Sequence, residues 1–167
     1  MRILTLTLFL FYSLQVFGEE YIYSCEYKDR QTELRALSCA LFWEARGDSE
    51  GYVGRMAVGL VVMNRVYSER FQDNVVDVIY HPFAFSWLND GKSDRVPNTH
   101  HDRIAWKECL QISKDLLSIK HKDYKFYDFT KGSMWYHSNK VSPDWADAKY
   151  LTVKINNHLF YDTDVKK

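Results

Sequence analysis

Leu34, Leu37, Leu41 and Ala45, with Phe42 alongside, recur every three or four residues and predict an amphipathic helix over residues 33–46. Thr32 stands at its N-cap position and Gly47 supplies the stop. A second helix follows to about residue 67, with Asp48 or Ser49 as cap and Glu50 in its first turn. Val53, Met56, Ala57, Leu60 and Val61 form its stripe. Val58, Val62 and Met63 then make the later turns apolar almost all round, the pattern of a central, buried helix. Asn64 falls where the stripe calls for one more apolar residue. A buried amide must find partners, so it either ties down a neighbouring helix end or orients a substrate or Glu44.

Residues 71–80 predict a short helix capped by Asp73 and ended by Pro82. Residues 81–101 show no clear period and hold Phe85, Ser86 and Trp87 among Asn, Asp and Gly. A loop of that length in a compact domain is usually functional or disordered. Asp102 caps a third long helix to residue 119, with Ala105, Cys109, Ile112 and Leu116 as its buried row. The pattern then changes. Residues 134–137 read as a short strand, and residues 151–155 and 158–161 read as a β-hairpin turned at Asn156-Asn157. Helices first and a small C-terminal sheet afterwards predict one mostly helical α+β domain, residues 32–167, preceded by a tail over residues 19–31.

The first 18 residues read differently. Arg2, a predominantly apolar run to Phe17, then Gly18 and the pair Glu19-Glu20 follow the pattern of a secretory signal peptide. The run is short for a membrane span, which needs about 20 apolar residues; an uncleaved anchor is the alternative. The expected location is therefore secreted, periplasmic or cell envelope. Without Arg2, 21 basic residues face 22 acidic ones. That balance argues against nucleic acid as a partner. Three cysteines, Cys25, Cys39 and Cys109, permit at most one internal bridge. Cys39 and Cys109 fall at core positions, where a free thiol packs as a small apolar group. Cys25 as a lipid attachment site is a minor alternative.

Glu44 is the residue with chemical promise. On a helical wheel it lies roughly 80° from the line through Leu34, at the edge of the apolar face. Partial desolvation there would raise its pKa and keep it protonated, as a general acid requires. Pairing with Arg46, or capping the next helix, is the structural alternative. The aromatic residues, 5 Trp, 12 Tyr and 10 Phe, serve either as core or as faces for sugar rings.

Glu44-Ala45-Arg46-Gly47, Asn64-Arg65-Val66, Phe85-Ser86-Trp87, Tyr136-His137, Val141-Ser142-Pro143-Asp144-Trp145 and Asn157-His158-Leu159-Phe160-Tyr161 occur in one order. In that order they resemble the SleB-type cell wall hydrolase family. The resemblance covers most of residues 32–161 and implies a lysozyme-like domain that cleaves the glycan strands of peptidoglycan. It further implies a lytic transglycosylase with Glu44 as sole general acid and base, using no metal and no cofactor. Ser86, Phe85, Trp87, Tyr136, Trp145 and His158 are then candidates for the substrate groove, with Arg46 and Asn64 in support and His137 structural. A regulatory partner is unknown, and a monomer is assumed. Two departures stand out: the separate peptidoglycan-binding repeat of many spore enzymes is not seen, which argues against a spore-cortex role, and the cysteines that many relatives have near the Phe-Ser-Trp loop are missing.

Three rival readings remain at this level. A zinc amidase needs clustered His, Asp or Cys ligands, but the six histidines are scattered and His100-His101 is only an adjacent pair. A thiol amidase or peptidase would need Cys39, which lies on the core side of the first helix. A non-catalytic peptidoglycan-binding module with a decayed site is the third.

Overall fold

The structure, a computed structural model, describes residues 21–45, 47 and 51–162. Arg46, the caps expected at Asp48 or Ser49, Glu50 and the signal segment lie outside the described residues. Helices dominate: α1 (Glu33–Ala45), α2 (Gly51–Val66), α3 (Val75–Ile79), α4 (His100–Ser118) and the short α5 (His121–Tyr124). Strands β1 (Tyr21–Ser24) and β2 (Arg95–Pro97) form one antiparallel pair. β3 (Trp135–Ser138), β4 (Leu151–Ile155) and β5 (His158–Tyr161) form a second antiparallel sheet in the order β3-β5-β4. This is the α+β arrangement expected.

α1 lies at the centre of the helical half, packed against α2, α3 and α4. Leu37, Leu41 and Phe42 are fully buried there with Leu60, Ile112 and Leu116. Gly59 marks where α2 passes α1 and α4 most closely. A Cβ at that position would run into Leu116 Cδ1 and sit 3.3 Å from Leu41 Cδ2. Ser38 donates its hydroxyl to the Leu34 carbonyl at 2.7 Å, and its oxygen pairs with Ser113 Oγ at 3.1 Å, so the buried hydroxyls of α1 and α4 are joined. Arg55 of α2 pairs with Glu108 of α4 at 2.5 Å.

Several local expectations are corrected. Residues 21–31 are not a tail: β1 pairs with β2, and Cys25 is bridged to Cys39 of α1. Cys39 is therefore not a free core thiol, and Cys109 is the buried free one. Part of the aperiodic stretch 81–101 is regular, because backbone pairing to β1 needs no hydrophobic period. Asn74 rather than Asp73 caps α3, accepting from Asp77 N at 2.8 Å. Thr99 rather than Asp102 caps α4. It accepts from Asp102 N at 3.1 Å, while its hydroxyl donates to the Asp102 carboxylate at 2.7 Å. The Thr99 hydroxyl is therefore used twice at the helix start, as acceptor from the Asp102 backbone and as donor to its carboxylate. Val53, expected in the core stripe of α2, is 52% exposed in the first turn. Thr32 does cap α1, accepting from Arg35 N at 3.3 Å.

Candidate active site

The last turn of α1 delivers Glu44 to the place where the helical half meets the sheet. Its neighbours on the helix, Phe42 and Ala45, are buried, while Glu44 keeps part of its surface open. Tyr136 of β3 donates its hydroxyl to Glu44 Oε2 at 2.7 Å. Burial raises the Glu44 pKa above the ordinary carboxylate value, against the Tyr136 hydrogen bond and the positive fields of His158 and Arg65, which favour the ion. The C-terminal end of α1 also disfavours a negative charge. The Tyr136 hydroxyl is held well above its usual pKa, first by burial and then by Glu44, so it remains a donor. Among the described residues no Asp or Glu is among the groups whose charge acts on Glu44.

The sheet positions Tyr136 through its register. Tyr136 lies opposite Phe160 on β5, and Ser138 lies opposite His158. The Tyr136 ring packs against Phe160 at 5.6 Å and edge-on against His158 at 5.4 Å. Phe160 is wholly buried against Ala57 and Val61, which docks this face of the sheet on α2. The hairpin turns at Asn156, whose φ of 49° is one that Asn adopts more readily than most residues. His137 and Trp145 belong to the opposite face, with His137 stacked on Tyr161 at 5.3 Å and Trp145 edge-on to it at 5.5 Å.

Two adjacent residues of α2 hold the approach to β3. Asn64 donates Nδ2 to Thr130 Oγ1 at 3.2 Å and to the Ser133 carbonyl at 3.0 Å. Arg65 donates Nε to the Met134 carbonyl at 2.8 Å. Tyr136 is two residues further on, so these bonds set its height against Glu44. Asn64 thus ties a loop rather than a helix end. Arg65 is 5% exposed, and its guanidinium lies over Phe71 at 5.5 Å, Phe85 at 5.4 Å and Trp135 at 5.1 Å. Burial lowers its pKa while Tyr136 and Glu44 raise it again; an arginine remains charged throughout.

The residues picked from sequence therefore separate. Glu44, Tyr136 and His158 meet. Phe85 and Trp87 are 4% and 5% exposed, so they serve the core and the Arg65 cage instead of offering open faces to a sugar. Ser86 is exposed at the start of the 3-10 turn Trp87–Asn89 and makes no side-chain cap there. Trp145 sits with Trp135, His137 and Tyr161, away from the acid. Arg65 was given no role from the sequence. The signal was a cation directly after Asn64, at the end of a helix apolar almost all round. Among the described residues no three His, Cys, Asp or Glu side chains converge as metal ligands. Burial pushes the Cys109 thiol up to about 12, far from a reactive thiolate.

Comparison with known proteins places the chain in a family. The cell wall hydrolase family profile matches residues 49–161. The chain belongs to the cell wall hydrolase family. The profile match begins just after Glu44, and alignments to individual relatives extend over more of the chain. A spore cortex-lytic enzyme of Halalkalibacterium halodurans is 43% identical over 135 residues, covering 80% of this chain and 35% of that protein. One from Bacillus cereus is 30% identical, covering 78% of this chain and 44% of the relative. The chain thus spans well under half the length of these two. Among solved structures, the catalytic domain of Bacillus cereus SleB is 27% identical with a TM-score of 0.52, covering 78% of this chain and 89% of that one. The catalytic domain of the germination-specific lytic transglycosylase SleB of Bacillus anthracis gives 28% and 0.52, covering 79% and 95%. The chain therefore shares its fold with two solved catalytic domains.

Proposed function

We propose that this cell wall hydrolase cleaves the glycan strands of peptidoglycan as a lytic transglycosylase, with Glu44 as its single acid and base. One observation carries the reading. A carboxyl whose pKa burial raises stands at the meeting of two structural halves, with Tyr136 on one oxygen and, among the described residues, no Asp or Glu among the groups whose charge acts on it. Hydrolysis by the two-carboxylate route needs a second acid about 5 to 9.5 Å away. An intramolecular route does not.

Tyr136 occupies Oε2, which leaves Oε1 to carry the mobile proton. Glu44 passes it to the glycosidic oxygen as the bond from C1 of N-acetylmuramic acid to that oxygen breaks. The carboxylate so formed then takes the proton of the same sugar's C6 hydroxyl, and O6 bonds to C1 to close a 1,6-anhydro ring. The proton returns to Glu44, so the site is reset. The substrate supplies its own nucleophile, and proximity replaces the second carboxylate. Tyr136, together with the fields of His158 and Arg65, stabilises the ionised intermediate stage. The spore cortex-lytic names of the relatives support peptidoglycan as substrate. The Cys25–Cys39 bridge supports an oxidising compartment and hence export. We expect the chain to act in the envelope or outside the cell.

The test is mass spectrometry of soluble products from purified peptidoglycan, with wild type and Glu44→Gln side by side. Anhydromuropeptides should come from wild type only, with turnover reduced by at least about a thousandfold in the variant, about 4 kcal/mol of barrier. Binding to the polymer should persist. Reducing muramic acid ends would replace this mechanism with hydrolysis by water. Free stem peptides untouched by Glu44→Gln would replace it with amidase chemistry.

A further inference from the structure

A cavity of about 670 Å³ opens beside Arg65, within the size range of small-ligand sites. Arg65 and Arg70 contribute its charge, Phe71, Phe83 and Trp135 its apolar walls, and Gln72 a neutral polar group; among the described residues no carboxylate lines it. We propose that this cavity is a carboxylate subsite, in which Arg65, with Arg70 at the mouth, receives the acid carried by the muramyl substituent. The proposal rests on the glycan-cleaving reading above and adds a recognition element to it.

Arg65 is the reason. It is a buried cation whose single hydrogen bond among the described residues is from Nε to the Met134 carbonyl. Both Nη nitrogens are without a protein acceptor among those residues. Glu44, the acid whose charge reaches Arg65, is engaged by Tyr136 instead. A buried charge is costly unless it is paired, and three aromatic rings supply only part of what water would. The planar fork of a guanidinium matches a carboxylate through two parallel hydrogen bonds. Phe83 completes the mouth. It is 81% exposed with φ at 62°, and it leaves an aromatic face available to an alkyl chain or sugar ring.

Occupation would also act on the acid. The positive field of Arg65 favours ionised Glu44. A carboxylate seated on the guanidinium offsets that field and strengthens the hold of Glu44 on its proton. A correctly substituted muramyl unit thus prepares its own general acid.

Two sources offer the same chemistry: the free lactyl acid of an unsubstituted muramic acid, and the acidic groups of a stem peptide. Binding of the Glu44→Gln variant to four preparations separates them: intact peptidoglycan, chains stripped of peptide by an amidase, and each of these after carbodiimide capping of carboxylates as neutral amides. Capping should weaken binding by about tenfold or more, as expected for a charge-assisted pair. Retained binding to stripped, uncapped chains assigns the lactyl acid. Loss on stripping as large as on capping assigns the peptide. Arg70→Gln should weaken binding to charged chains and leave binding to capped ones unchanged. Equal binding to capped and uncapped chains would overturn the subsite, as would an Arg70→Gln loss that ignores capping. Product analysis of wild type distinguishes the two failures: anhydromuropeptides released without carboxylate dependence sink the subsite alone, whereas stem peptides as products sink the glycan reading and the subsite with it.

Discussion

The helical half and the sheet are joined at the candidate acid by the Glu44–Tyr136 hydrogen bond, and they hold their ends of it by different means. Glu44 rides on α1, which is buried against three other helices, with Leu37, Leu41 and Phe42 at zero exposure. Tyr136 rides on a three-stranded sheet whose separate apolar cluster is Ala57, Val61 and Phe160, with Tyr136, Val153 and Ile155 packed around it. Polar bonds from Asn64 and Arg65 compensate for that thin contact by pinning the entry to β3. The acid is thus fixed by close packing and its partner by a few directed bonds. A site built this way should lose alignment from the sheet side first.

Truncation of Phe160 is the strongest way to break the contrast. Phe160→Ala should cost about 3–5 kcal/mol, the usual range for a buried aromatic. Hydrogen exchange should accelerate in β3, β4 and β5 before it does in α1 and α2. Uniform acceleration would mean that the two halves unfold as one unit.

Loss of the Cys25–Cys39 bridge should act on the other half. The cysteines are 14 residues apart, and a loop of that size corresponds to about 3 kcal/mol. The pair Cys25→Ala/Cys39→Ala should therefore lower the melting temperature while activity well below it stays near wild type. Selective loss of activity at low temperature would tie the bridge to Glu44.

Gly59→Ala probes the closest helix contact. The added methyl would displace Leu116 and press on Leu41, at about 1–3 kcal/mol by overpacking. Chemical denaturation should show that loss with the substrate affinity unchanged.

Tyr136→Phe gives the smallest change in stability, about 1 kcal/mol, and the most informative pH profile. Removing a donor to the carboxylate should raise the Glu44 pKa further and shift the alkaline limb of activity to higher pH. The same residue links pH to stability. Because its folded pKa lies above its unfolded one, Glu44 contributes stability fully below the unfolded carboxylate value. That contribution is lost as pH rises through the raised folded value. Glu44→Gln should flatten this decline, and a pH-independent difference between the two proteins would contradict the raised pKa.

Elements whose signal is local were legible in the order of residues alone. The rows Leu37-Leu41-Ala45 and Ala105-Cys109-Ile112-Leu116 are buried as their spacing requires, and the hairpin turns at Asn156 because few other residues tolerate that φ. Glu44 was legible too, since its wheel position and its neighbours already implied desolvation. Tertiary structure alone decided the rest, because it depends on residues far apart in the chain. Tyr136 reaches Glu44 across 92 positions, and Asn64 reaches Ser133 across 69. β1 finds β2 through backbone groups that leave no hydrophobic pattern. Phe85 and Trp87 read as open aromatic faces because side-chain type does not reveal which way a loop turns; folding put them inside. Arg65 shows the division most plainly: its charge is written in the chain, but its burial, its aromatic cage and the cavity beside it exist only once α2, β3 and the segment after α3 have come together.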